Sequence, residues 1–349
     1  MQYQLFGRSG LRVSPLCLGT MTFGEDWGWG ASKEGSKQQY DAFVNAGGNF
    51  IDTADVYTEG SSEEILGDFI QADRDYIVLA TKYTLSNTTK NPNASGNHRK
   101  NLVQSVEASL KRLRTDYIDL LWVHAYDYLT PVEETLRALD DLVRSGKVLY
   151  LGASDHPAWV VAKANTLAAQ HGWTPFIGNQ LEYNLTERTP ERDLLPMADH
   201  FGMGNVAWSP LAAGILTGKY LDNKGEGSGG RMEGTSTYRF NARNERIART
   251  VVEEAEKLDV SAAALSLAWI RQRGVIPIIG ASKVQQLEDN ISSLDIELDA
   301  ATLQRLNDAT QIELGFPHDF VLRGGASKMI YGGMRDRIDG NTNPHLADH

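Results

Sequence analysis

The sequence predicts an α/β fold built as a single (β/α)8 TIM barrel, and three observations point there. Short apolar runs recur along the chain, each followed by a polar turn and a helix-like amphipathic segment. There are eight such runs: 15–19, 49–53, 76–81, 117–123, 148–153, 176–181, 206–209 and 275–279. They lack in/out alternation, as strands covered on both faces do, which favours a parallel sheet. Eight strand–helix units within roughly 250–300 residues favour closure into a barrel. A doubly wound open sheet is the structural alternative, but no G-x-G-x-x-G follows an early strand.

The helix signals support each unit in turn. Ser61-Ser62-Glu63-Glu64 reads as a helix start. Residues 99–114 carry Leu102, Val106, Leu110 and Leu113 on one face at helical spacing. Thr130-Pro131-Val132-Glu133 reads as an N-cap followed by Pro at the first helical position, with Gly146 closing that helix. Asp155-His156-Pro157 opens a further helix, and Ser282 and Lys283 open the last helix of the barrel. The barrel is expected over residues 1–315, with a long loop at 210–242 whose stretch 225–234 is Gly-rich. Residues 316–349, rich in Gly, Asn, Pro and charge, are expected to form a C-terminal loop and tail over the barrel mouth.

Composition narrows the function. An apolar fraction of 41% and a charged fraction of 23% belong to a globular protein. A net charge of −11 disfavours nucleic acid and anionic membranes, so an anionic small molecule needs a local group of cations. The single cysteine, Cys17, sits in the apolar run Pro15-Leu16-Cys17-Leu18, as a buried, inert thiol would. With no intrachain disulfide, no signal-like start and no membrane-length apolar run, a cytoplasmic location is expected. The eight histidines show no HExxH spacing, and no catalytic metal is expected.

Function in such barrels sits at the C-terminal strand ends. Those ends carry Thr20-Met21, Asp52, Lys82, His124, Ser154-Asp155, Gln180, Trp208-Ser209-Pro210 and Gly280. Asp, Lys and His there would each cost desolvation unless paired. Together they fit carbonyl reduction. A free tyrosine, with pKa about 10, is a weak acid at neutral pH. A neighbouring ammonium stabilises the phenolate, so Lys82 makes Tyr57 a usable proton donor and, in reverse, a base. Asp52 keeps Lys82 protonated and oriented, and His124 can hydrogen-bond the carbonyl oxygen. Asp55, Asp127 and His156 are read as turn or capping residues.

The segments at 50–57, 80–82, 120–124 and 179–184 resemble the aldo-keto reductase superfamily. The likeness continues through Trp208-Ser209-Pro210-Leu211 and Gly218-Lys219-Tyr220 to 286–290, covering roughly residues 1–315. It is nearest the aryl-alcohol-dehydrogenase-like and potassium-channel-β-like branches. The resemblance implies a reversible NADPH-dependent reduction of aldehydes or ketones to alcohols, with Asp52, Tyr57, Lys82 and His124 as the catalytic four. It also implies a cofactor site for NADP(H). Ser154, Asp155 and Gln180 would surround the nicotinamide carboxamide, and Trp208 would stack on the ring. Ser209, Leu211, Gly214 and Lys219 would line the pyrophosphate and ribose, with Arg231 as a clamp. Ser282, Lys283, Gln286 and Asn290 would take the adenosine end. Thr20, Met21, Pro210 and Gly280 complete the contact set. The family usually has Asn where this chain has Asp155, and an ionised Asp only accepts hydrogen bonds. Some branches have an arginine for the 2′-phosphate where this chain has Gln286, which leaves that role to Lys283, Ser282 and Arg231.

Trp27, Trp29, Tyr83 and Tyr126 suggest a substrate with aromatic or other apolar groups. Two other readings stay open: a slow, cofactor-binding redox sensor acting as a regulatory subunit, and a barrel enzyme using Lys82 as a Schiff base. Oligomerisation is not marked by any feature of the sequence.

Overall fold

The computed structural model describes residues 1–88, 90–221, 239–322 and 324–338. Two short strands open the chain, β1 (Gln4–Leu5) and β2 (Arg12–Val13), paired antiparallel as a hairpin. Eight parallel strands then close a barrel: β3 (Cys17–Gly19), β4 (Phe50–Asp52), β5 (Val78–Tyr83), β6 (Ile118–Val123), β7 (Val148–Ser154), β8 (Phe176–Glu182), β9 (Gly204–Trp208) and β10 (Val275–Ile279). They follow one another around the wall in chain order, and β10 pairs with β3 to close it. Each lies within two residues of an apolar run of the sequence.

The surrounding helices are α1 (Lys33–Asn45), α2 (Ser61–Phe69), α3 (Arg99–Leu113), α4 (Val132–Arg144), α5 (Ala158–His171), α6 (Leu194–Phe201), α7 (Ala242–Lys257), α8 (Ala262–Gln272), α9 (Val284–Ser292) and α10 (Ala300–Thr310). Between β9 and α7 the chain makes a 3₁₀ turn, Ala212–Thr217, inside the expected long loop. Two short helices, α11 (His318–Leu322) and α12 (Gly324–Ile330), follow Leu314, the last buried residue before them. No helix among the described residues is long and apolar enough to cross a membrane.

Two helix starts differ from the expected ones. Pro131, not Thr130, caps α4, because the Thr130 hydroxyl donates instead to Asp127. Pro157 caps α5, and Asp155 stands outside the helix with its carboxylate turned to Trp208. His98 caps α3 through its ring, accepting from the Asn101 N–H at 3.3 Å.

The barrel interior is a packed core. Cys17, Phe50, Val78, Ala80, Leu120, Trp122, Val206 and Ile276 are buried together with Phe6. Phe6 sits in the loop of the N-terminal hairpin and plugs the bottom. Its ring lies 5.6 Å from Phe50 and 6.4 Å from Trp122, both edge-to-face. Gly178 and Gly204 make room for it, since a Cβ at either would come within 2.8 Å of the Phe6 ring. At the outer wall, buried Arg188 pairs with Glu191 and donates to the Asn307 carbonyl and the Thr310 hydroxyl, fastening α10 to the barrel.

Candidate active site

Strand periodicity explains why the polar residues converge. Side chains two apart on a strand share a face. Interior Phe50, Ala80, Trp122 and Val206 are therefore followed two residues on by Asp52, Lys82, His124 and Trp208 at the upper rim. Gly152 and Gly178 stand in the same relation to Ser154 and Gln180. The polar set is the top layer of the barrel filling, facing the mouth.

Asp52 and Lys82 stand on adjacent strands, with Asp52 opposite Ala80 in the register. Both are buried, and the Lys82 ammonium makes a very short contact with the Asp52 carboxylate. Lys82 also donates to the Thr53 carbonyl at 2.8 Å and to the Tyr57 hydroxyl at 3.1 Å. Burial alone would lower the lysine pKa, but the charges of Asp52 and Tyr57 outweigh it and raise the pKa above the usual value. The ammonium therefore stays charged and fully hydrogen-bonded.

Tyr57 is brought there by a sharp turn after β4. The Asp55 N–H donates to the Lys82 carbonyl at 3.2 Å, and Thr58 and Glu59 take left-handed backbone conformations. The Thr58 hydroxyl donates to the Phe23 carbonyl at 2.7 Å, tying the turn to the loop after β3. His124 lies edge-to-face with Tyr57 at 6.0 Å between ring centres. Its Nδ1 is buried without a hydrogen-bond partner. Burial, and secondarily the Lys82 charge, push its pKa down to about 3, so the ring is neutral at pH 7.

Around this centre lie the residues expected to meet a cofactor. Gln180 is buried and donates from Nε2 to Asp52 Oδ1 at 3.0 Å, so part of its amide is already engaged in holding Asp52. The Trp208 indole N–H donates to Asp155 Oδ1 at 2.9 Å. The Thr20 hydroxyl is buried between the Asp52 carbonyl and the Ser62 hydroxyl, leaving its backbone rather than its side chain near the mouth. Met21 is half-buried beside it, and Ser154 is buried. Ser209 has a left-handed backbone and is followed by buried Pro210, half-buried Leu211 and the turn at Ala213 and Gly214. Lys219 folds over Gly214, close enough that a Cβ there would meet its ammonium at 3.0 Å.

Across the mouth, Gly280, Ser282, Lys283 and Gln286 are exposed at the start of α9, and Asn290 is buried behind them. Lys283 holds the N-cap position without a side-chain cap bond. Gln286 Oε1 accepts from both the N–H and the hydroxyl of Ser282 at 3.0 Å. The structure thus brings the expected set to one rim, except Arg231, which lies outside the described residues.

Arg239 was not singled out in the sequence. It forms a two-pronged ion pair with Glu182, reaches the Ser209 hydroxyl at 3.3 Å and lies 5.7 Å over the Trp208 ring. No short motif marks it, because its place depends on the far end of the long loop returning to the mouth. Tyr83 does not line the rim as expected. It is buried, and its hydroxyl donates to the Asn97 carbonyl at 3.3 Å, because β5 turns it outward against α3. Trp27 lies 6.4 Å from Tyr57, and Trp29 lies 5.4 Å from Trp27, so this pair does border the catalytic tyrosine candidate. Cys17 is buried, and burial raises its thiol pKa, as for an inert core thiol.

An eight-stranded parallel barrel with buried polar groups at its C-terminal mouth defines a barrel enzyme. Residues 15–311 match the model of the aldo/keto reductase family, and the chain belongs to that family. It is 39% identical over 330 residues to a norsolorinic acid reductase of Aspergillus flavus, covering 91% of this chain and 83% of the relative. It is 40% identical over 335 residues to an aryl-alcohol dehydrogenase [NADP(+)] of Phanerodontia chrysosporium, covering 90% and 87%. A norsolorinic acid reductase B of Dothistroma septosporum is 38% identical over 332 residues, covering 91% and 83%.

Proposed function

We propose that this chain is an NADP(H)-dependent enzyme that reversibly reduces aldehydes or ketones carrying aromatic or other apolar groups to alcohols. The observation that carries the reading is the Tyr57 hydroxyl, held 3.1 Å from an ammonium that is itself buried against Asp52. That ammonium stabilises the phenolate left when Tyr57 gives its proton to the carbonyl oxygen. In the reverse direction the same phenolate takes the alcohol proton. Neutral His124 offers a hydrogen bond to the same oxygen and fixes its approach.

The mouth suits a dinucleotide in three respects. Trp208 is at the rim for a planar ring, the turn at Gly214 with Lys219 suits a pyrophosphate, and the N-terminus of α9 with Lys283 suits a further phosphate. Arg239 adds a third cation beside Ser209. A reduced nicotinamide cofactor, when bound, would supply hydride for the carbonyl carbon, and the part played by this chain is that of Tyr57, which holds the proton for the oxygen. Asp155 and Ser154 would meet the carboxamide, with Asp155 able to accept from its NH2. The relative named as an aryl-alcohol dehydrogenase [NADP(+)] supports both the cofactor and the aromatic substrate. The pair Trp27–Trp29 beside Tyr57 supports an apolar wall.

The test follows NADPH and NADH oxidation with a panel of aromatic and aliphatic aldehydes. Tyr57→Phe should lower turnover by about 10²–10⁴-fold while still binding NADPH, since only the proton donor is removed. Unchanged turnover in that variant would reject Tyr57 as the acid. Lys283→Ala should weaken NADPH far more than NADH. Equal loss of both would place the 2′-phosphate elsewhere, with Arg239 the next residue to substitute.

A further inference from the structure

Three carboxylates stand at strand ends of the barrel mouth: Asp52, Asp155 and Glu182. Lys82 pairs with Asp52, and Arg239 pairs with Glu182. Asp155 makes no ion pair among the described residues, and its Oδ1 accepts from the neutral Trp208 indole at 2.9 Å. A cavity of about 280 Å³ opens beside it, lined also by Gln180, Glu182, Glu187 and Thr189. The described lining includes no lysine or arginine. Its one histidine, His156, is kept neutral by burial, which pushes its pKa down to about 4. Asp155 therefore brings a negative charge to the mouth that no neighbouring cation cancels.

The backbone fixes where that charge sits. Asp155 has a φ of 49°, in the left-handed region, which Asp and Asn enter more readily than most residues. Its N–H donates to the Gln180 carbonyl at 3.1 Å, and its carbonyl accepts from the Tyr126 N–H at 3.4 Å. The residue is thus held between β8 and the loop after β6. Loss of surrounding water raises its pKa, whereas the Trp208 bond and the Lys82 charge favour the anion.

That influence of Lys82 also locates Asp155 relative to the chemistry. A ring that passes hydride to a carbonyl held at Tyr57 must lie in contact with that carbonyl. Such a ring lies in the field of Asp155, and covering the mouth removes water that would screen it. Nicotinamide is neutral when reduced and cationic when oxidised, so nearby charge acts on the two forms differently.

We propose that Asp155 sets the redox poise of the bound cofactor, its negative charge holding NADP+ more tightly relative to NADPH than a neutral residue would. The proposal rests on the reductase reading and goes beyond it. Stabilising the oxidised ring makes bound NADPH a stronger hydride donor towards the carbonyl. The phosphates are common to both forms, so Lys219 and Lys283 cancel from the comparison.

The experiment titrates the full chain with NADP+ and with NADPH by calorimetry, in the wild type, Asp155→Asn and Asp155→Ala. Asn keeps the shape, the backbone preference and an acceptor for the Trp208 N–H, and removes only the charge. Asp155→Asn is expected to weaken NADP+ about tenfold while changing NADPH by no more than about twofold. For a two-electron couple, a tenfold change in that ratio is about 30 mV. Asp155→Ala should change the ratio by the same factor. An unchanged ratio in Asp155→Asn, with both nucleotides bound, overturns the poise and leaves the reductase reading standing. A ratio that changes in Asp155→Ala alone overturns it too, and assigns Asp155 to holding Trp208. A wild type that binds neither nucleotide sinks both readings.

Discussion

Single residues at the mouth depend on one another through desolvation. Asp52 and Lys82 are both buried, so each charge is tolerable only because the other is present. Lys82→Met would leave Asp52 uncompensated, and a loss of about 3–5 kcal/mol of stability is expected. Adding Asp52→Leu should return most of that loss, although neither variant turns over. Chemical denaturation of the two proteins checks this. A double variant no more stable than Lys82→Met would show that the uncompensated Asp52 carboxylate is not the source of the loss. Gln180 shares in the arrangement by donating to the second oxygen of Asp52. Its engagement there was not legible in sequence, where only its strand-end position pointed to the site.

At the scale of elements, the N-terminal hairpin closes the barrel floor. It was not expected from the sequence, because β1 and β2 are two residues each, too short for any periodicity to register. Phe6 carries the effect. It is buried against Phe50 and Trp122, in space that Gly178 and Gly204 keep open. Phe6→Ala should cost about 3–5 kcal/mol through the cavity it leaves beneath the catalytic layer. Thermal unfolding measures it, and a shift no larger than that of an exposed Phe320→Ala control would argue that the floor is dispensable. The catalytic layer two residues above should keep its cofactor affinity at temperatures where the variant remains folded.

Across the whole molecule, charge is distributed unevenly. Against a net charge of −11, the mouth carries Lys219 and Lys283, so an anionic ligand meets local cations despite the overall field, while the Arg239 charge is already matched by Glu182. Behind the mouth lies an opposite case. Asp55 Oδ1 is buried without a partner, faced by Glu63 on α2, Arg112 and Ser105 on α3, and Lys82 on β5. Burial, then the Glu63 charge, push its pKa up to about 8. In the unfolded chain the group ionises near pH 4. The folded state therefore holds a proton that the unfolded state releases, and the stability this provides is lost as pH rises from about 4 to 8. Asp55→Asn, neutral throughout, should be more stable than the parent at pH 8 by a margin that shrinks towards pH 5. A margin independent of pH would mean that Asp55 is ionised in the fold.

The alternation of apolar runs with amphipathic segments determined the barrel, because strands covered on both faces must be apolar and strand ends must carry the polar chemistry. The same period of two determined that Asp52, Lys82 and His124 share one interior layer, and the turn after β4 put Tyr57 beside them. Tertiary structure alone decided the rest. Phe6 beneath the core, Gln180 on Asp52, Arg239 on Glu182 and the rings of Tyr126 and Trp159 meet across long sequence separations, or between loops without periodicity. The physical reason is that local pattern fixes which face a residue takes, whereas the partner on that face is set by how the closed barrel brings distant loops together.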